Sequence, residues 1–189
     1  VEANDLLEQE PRLRRAYKLK GDLLSRLGDE KPAFEAYQVY LDELDPSRRH
    51  NEILSISRAI KNRGHPDLAV RLVESRTPDF EMVDRWRVQQ LEHLARLQLE
   101  ASTEIETVVE TLEKMVELAE EEVRRYRIRG AYLQAYNILK EAGRTDQGVV
   151  FLERLVEQHD IQRNWEYVHR AYVRLGRVDA ANQLIRDFL

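Results

Sequence analysis

Residues 132–152 read YLQAYNILKEAGRTDQGVVFL, and the pattern of large and small residues in that stretch occurs four times along the chain. Counted from Gly143, a large residue stands eleven positions before (Tyr132), another four before (Leu139), a small one five after (Gly148), and an apolar pair eight and nine after (Phe151, Leu152). Around Gly28 the same positions hold Tyr17, Leu24, Ala33, and Ala36 with Tyr37. Around Gly64 they hold Ile53, Ile60, Ala69, and Leu72 with Val73; around Gly176, Trp165, Tyr172, Ala181, and Leu184 with Ile185. Spacings of four, seven and eight place large residues on one stripe of a helix, so two amphipathic helices flank each glycine. The glycine ends the first helix, where a left-handed residue closes the last turn without a Cβ clash. The small residue five positions later lets the second helix pack closely against the first, and a Leu there would cost roughly 1–3 kcal/mol.

Composition agrees with an all-α chain. The 189 residues are 34% charged and 42% apolar, with seven Gly, five Pro and no run of alternating β-branched residues that reads as a sheet. No segment approaches the ~18 to 20 consecutive apolar residues of a membrane span, so no membrane insertion is expected. With no cysteine, the chain has neither disulfides, thiolate metal sites nor thiol nucleophiles.

These residues resemble the tetratricopeptide repeat family, a 34-residue helix-turn-helix unit with an early aromatic, a small residue at the helix crossing and often a terminal proline. The glycines are spaced by 36 and 33 residues at the two ends, with Asp45 and Pro46 closing the first copy and Thr77, Pro78 and Asp79 the second. The 79 residues from Gly64 to Gly143 fit one degenerate pair with long helices, about Phe80 to Glu100 and Thr103 to about Leu118, with Ser102 and Thr103 as helix caps. The resemblance implies a right-handed superhelical solenoid of antiparallel helix pairs. The expected organisation is one segment of five pairs, approximately 12–46, 48–78, 80–119, 121–158 and 161–189. An opening helical fragment at Glu2–Glu8 and an apolar end at Phe188 and Leu189 suggest a piece of a longer array.

Catalytic constellations are missing from the sequence. His50, His65, His93, His159 and His169 form no HExxH or i, i+4 pair, and no phosphate-cradling glycine loop occurs, so neither a metal nor a cofactor is expected and the chain does not read as an enzyme. The acidic run Glu120–Glu122 reads as a solvated helix end, and Trp86, which has no counterpart in the repeat, as core, with part of a second binding surface as the alternative. The seam Ile105, Val108, Val109, Leu112, Met115, Val116 and Leu118 is wide enough to pair with another chain, although cover from within the stack is the simpler explanation.

Function must come from the surface that the repeats build. In the resembled family the first helix of each pair lines a concave groove, with residues ten, six and three before the turn pointing into it. Carried over, those positions are Lys18, Asp22 and Ser25; Leu54, Arg58 and Lys61; Leu133, Asn137 and Lys140; and Glu166, Arg170 and Val173, with Arg15, Asn62 and Arg174 nearby. Cations outnumber acids there in a chain whose net charge is −5, so the groove is expected to be mildly basic and to hold a protein partner or an extended, acidic peptide. Relatives that clamp a chaperone's C-terminal carboxylate use a Lys followed one turn later by an Asn. Asp22 after Lys18 argues against that role.

The expected function is a noncatalytic interaction scaffold, with a bacterial secretion or exopolysaccharide-export assembly as its setting. Alternatives are an RNA-binding helical-repeat protein or a ligand-sensing regulatory domain of a larger protein. Negative charge and groove residues that differ between copies disfavour nucleic acid. The bias of Arg over Lys, 24 to 6, and the absence of Cys incline the localisation to a bacterial periplasm or cell envelope, with cytoplasm as the alternative.

Overall fold

The computed structural model describes residues 11–77, 84–122, 125–159 and 164–188. Among them are ten α-helices and no strand: α1 (Pro11–Leu27), α2 (Glu30–Asp42), α3 (Pro46–Asn62), α4 (Pro66–Glu74), α5 (Asp84–Glu100), α6 (Ile105–Glu122), α7 (Arg125–Glu141), α8 (Thr145–Gln158), α9 (Trp165–Arg174) and α10 (Val178–Phe188). The expected fragment Glu2–Glu8, the residues Pro78 and Asp79, and the expected helix start near Phe80 lie outside the described residues. Pro46 and Pro66 open α3 and α4, at a helical position where a missing N–H costs nothing.

Helices α1 and α2, α3 and α4, α7 and α8, and α9 and α10 fold back on each other as hairpins. Each turn holds one of the four glycines with φ between 72° and 91°. The chain after the glycine reaches back to the helix it has just left. His65, Arg144 and Arg177 donate their backbone N–H to the carbonyls of Ile60, Leu139 and Tyr172 at 3.3, 2.8 and 2.9 Å, and Gly64, Gly143 and Gly176 donate to Lys61, Lys140 and Val173 at 2.8, 3.0 and 3.1 Å. This reciprocal pair satisfies carbonyls that the helix end leaves open. The residues that accept the longer bond, four before each glycine, are also the ones whose side chains face the core.

Ser102 supplies the missing fifth turn. Its φ is 56°, the one positive value outside glycine among the described residues. Thr103 donates to Gln98 at 2.9 Å and Ser102 to Leu99 at 3.2 Å, the same two bonds as in the glycine turns. Ser102 therefore ends α5 and does not cap α6. The carbonyl that receives the first bonds of α6, from Thr107 at 3.1 Å and Val108 at 3.4 Å, belongs to Glu104, so Thr103 is not the cap either. The turn is one residue longer than the others, because α6 starts three residues after Ser102 whereas α2, α4, α8 and α10 start two after their glycines. Buried Val108 then stands where the other pairs carry Ala or Gly.

The chain divides into two compact units, Val1–Thr111 and Leu112–Leu189, with the division inside α6. In the first, Ala33, Tyr37 and Leu41 of α2, Ile53, Ile56 and Ile60 of α3, Leu68 and Leu72 of α4, and Leu94 and Leu97 of α5 form one continuous apolar cluster. In the second, Tyr136, Val149, Leu152, Val168 and Ala171 do the same, with Leu133, Tyr172 and Leu184 packed against them. A seam shared between neighbouring hairpins is how repeat units bury a stripe that none can bury alone. The small residue at the crossing is required: Ala33, Ala69, Gly148 and Ala181 are all buried, and a Cβ on Gly148 would meet the carbonyl oxygen of Tyr136 at 3.1 Å. Of the wide seam on α6, Val108, Leu112, Met115, Val116 and Leu118 are buried within the molecule. Glu120 is not a solvated helix end, since its carboxylate accepts the Tyr132 hydroxyl and lies 3.2 Å from Nε2 of His159. Trp86 packs its ring against buried His50, with centroids 4.5 Å apart.

Two substitutions read the turn and the crossing separately. Replacing Ser102 with Gly removes a Cβ from a left-handed backbone and should raise unfolding free energy by about 0.5–1 kcal/mol in urea titrations, after offsetting the entropy that glycine adds to the unfolded chain. A neutral or destabilising result would contradict the turn assignment. Gly148→Val should lower stability by roughly 1–3 kcal/mol, and an unchanged midpoint would mean that α7 and α8 do not cross there.

Candidate functional site

The first helices carry the residues expected to line a groove, and the structure treats the pairs differently. In the second pair, Leu54, Arg58, Lys61 and Asn62 line a cleft of about 540 Å³ together with Gln89, Glu92, His93, Arg96, Leu97 and Glu100. One wall is α3 and the other α5. Counted from Ser102, Glu92 and Arg96 stand ten and six positions before the turn, the spacing of the other groove residues, so the degenerate pair contributes to the cleft by the repeat's own geometry.

Charges in the cleft are partly matched. Lys61 and Glu100 pair across it at 3.1 Å, and Arg96 and Glu92 pair along α5 at 3.5 Å. Both pairs are partly exposed, so their attraction is screened and each adds little to stability. Arg58 is exposed and forms no ion pair with any described residue. Leu54 and Leu97 add apolar surface beside it. Against the cleft, His93 Nε2 lies 2.8 Å from Ser57 Oγ, and the fully buried Ser57 hydroxyl is also 3.2 Å from the Leu54 carbonyl. With the Ser57 proton on that carbonyl, Oγ accepts from Nε2–H. Burial, reinforced by the charges of Arg58 and Lys61, pushes the His93 imidazole down to about 4. It is therefore neutral near neutral pH.

In the first pair Asp22 and Ser25 are committed elsewhere. Arg63, the residue that ends α3, donates to Asp22 Oδ1 at 2.9 Å, to Ser25 Oγ at 2.8 Å and to the Tyr37 hydroxyl at 3.2 Å. The Tyr37 hydroxyl donates in turn to Asp22 Oδ1 at 2.9 Å. This knot fastens the first hairpin to the second, and it is close-fitting: a Cβ on Gly21 would fall 2.7 Å from the Tyr37 ring. Lys18 is half-buried on α1, and Arg15 is exposed.

In the second unit Leu133 packs against the apolar cluster, Asn137 is half-buried, and exposed Lys140 places its ammonium 6.0 Å from the centroid of the Tyr136 ring. On α9, Glu166 and Arg170 approach to 3.9 Å, while Val173 and Arg174 are exposed. Arg129 lies over the Tyr167 ring at 5.0 Å and donates to its hydroxyl, so the helix faces here are joined by side chains that the sequence reading did not single out.

No group of three or more His, Cys, Asp or Glu side chains suited to a metal occurs among the described residues, and no described helix is long and apolar enough to cross a membrane. The fold class that these hairpins define is the TPR-like helical-hairpin solenoid. The chain is similar to a putative kinesin light chain of Podosopora anserina with nearly identical TPR-like repeats, at TM-score 0.56 and 18% identity over 94% of this chain and 93% of that one. A single-substitution variant of that protein aligns at TM-score 0.54 and 18% identity, over 92% and 91% of the two chains. The MamA protein aligns at TM-score 0.48 and 16% identity over 92% of this chain and 88% of that chain. No protein-family model and no curated protein matches the chain. At these identities the likeness establishes the fold alone, a stack of helical hairpins, and the site rests on its own geometry.

The depressed imidazole has a stability consequence with a definite sign. A folded-state value near 4 against about 6.5 in the unfolded chain means that the unfolded chain binds the proton more readily. His93 thus contributes fully above about pH 6.5, and its contribution is lost as pH falls towards 4. Burial also lowers His50, which acts in the same direction. Urea midpoints between pH 7 and 4.5 should fall less steeply for His93→Gln than for the parent chain. Identical slopes would show that His93 titrates normally.

Proposed function

We propose that this chain is a noncatalytic scaffold that recruits an extended, acidic segment of another protein through the groove on its first helices, its five hairpins working as one solenoid segment. The observation that carries the reading is the cleft between α3 and α5, in which Arg58 stands exposed and forms no ion pair with any described residue while the neighbouring cations are matched by Glu92 and Glu100. A planar guanidinium with free donors is suited to a carboxylate, and Leu54 and Leu97 beside it suit an apolar neighbour in the same segment. Commitment of Asp22 to Arg63 also supports the reading, because that carboxylate is neutralised within the first unit and does not oppose an acidic ligand. The fold, which the resembled family uses for protein binding, is a further support. An envelope-associated bacterial assembly for secretion or exopolysaccharide export is the proposed setting.

The test is binding of an N-acetylated ten-residue peptide of alternating Asp and Leu, followed by fluorescence anisotropy. Arg58→Glu should weaken capture by at least tenfold, about 1.4 kcal/mol, with the far-ultraviolet circular dichroism of the protein unchanged. Equal affinity for parent and variant would remove the cleft from the function.

A further inference from the structure

The cleft contains an ionisable group that the recruitment of an acidic segment does not by itself require. His93 is held against Ser57 at 2.8 Å, and the charged groups that line the cleft around it come from both walls: Arg58 and Lys61 from α3, and Glu92, Arg96 and Glu100 from α5. Three cations therefore face one imidazole, opposed by two carboxylates that already serve ion pairs. We propose that His93 couples occupancy of this cleft by a carboxylate to the uptake of one proton from solvent, so that the scaffold holds an acidic segment more tightly as pH falls. The proposal rests on the preceding reading of the cleft as the site for that segment.

First, the hydrogen bonds accept the charged form without rearrangement: Nε2–H donates to Ser57 Oγ, the Ser57 hydroxyl donates to the Leu54 carbonyl, and Nδ1 is the nitrogen that gains the proton. Second, burial, reinforced by repulsion from Arg58, Lys61 and Arg96, keeps the free site neutral, with its imidazole down at about 4. A carboxylate placed against Arg58 cancels part of that repulsion and adds attraction of its own. Binding and protonation then favour each other by the same factor. Restoration of the imidazole to its ordinary value of about 6.5 would raise affinity at pH 5 over that at pH 7.5 by roughly 30-fold, an upper bound because burial persists, and a rise of one unit gives about twofold. Aspartate side chains remain ionised across that range, so the ligand's own titration does not produce the effect.

The experiment follows the His93 imidazole resonance by NMR from pH 7.5 to 4, with and without the Asp–Leu peptide, and measures peptide affinity at pH 5 and 7.5 for the parent chain and His93→Gln. Glutamine keeps an N–H for Ser57 but takes up no proton. The expected result is an imidazole value that rises by at least one unit on binding, a gain in affinity at pH 5 for the parent that tracks the rise, from about twofold for one unit to roughly 30-fold for full restoration, and little gain for His93→Gln. Peptide that binds without moving the imidazole, or that gains equally in parent and variant, would overturn the coupling and leave the cleft as the binding site. No binding at any pH would overturn both.

Discussion

Every pair of helices in this protein depends on one residue entering the left-handed region just after the first helix ends. That conformation turns the chain back within two or three residues and lets two backbone N–H groups return to the carbonyls of the last helical turn. It also fixes which face of the second helix meets the first. In the four glycine turns the crossing residue five positions later is small, as Ala33, Ala69, Gly148 and Ala181 show, whereas the longer Ser102 turn carries Val108 at the corresponding place. A hydrophobic stripe alone would have produced amphipathic helices with no defined partner. The turn gives the stripe its register.

From that register follows the location of the cleft. Once the core side of a first helix is assigned, the positions ten, six and three before the turn lie on another face. In α3 they bring Leu54, Arg58 and Lys61 to one wall, and in α5 they bring Glu92 and Arg96 to the other. The knot of Arg63, Asp22, Ser25 and Tyr37 fastens the first hairpin to α3 through charge-assisted hydrogen bonds. Such a partly buried, mutually satisfied network holds neighbouring hairpins in one arrangement, where apolar packing alone tolerates sliding.

Most of the architecture was legible from the four glycines, because turn chemistry and helical periodicity pointed to the same boundaries. The degenerate pair was harder for two local reasons. Ser102 occupies a backbone conformation that side chains rarely adopt, so its identity gives no turn signal, and the extra residue before α6 shifts every later column by one. For the same reasons Glu92, His93 and Arg96 went unrecognised: their register can be counted only from Ser102. Asp22 and Ser25 illustrate a different limit. Their spacing marks a groove face, but Arg63, about forty residues away in sequence, draws both into the contact between hairpins, and no local pattern announces a contact of that range. Glu120 is diverted in the same way by Tyr132 and His159.

The central claim, that the face of the first helices in the second and third pairs is the surface a partner occupies, is most directly tested by mapping backbone amide shifts while the Asp–Leu peptide is titrated into isotope-labelled protein. The account predicts that the largest changes fall on Leu54, Arg58, Lys61, His93 and Arg96. Changes confined to the second helices, α2 and α4, would contradict it.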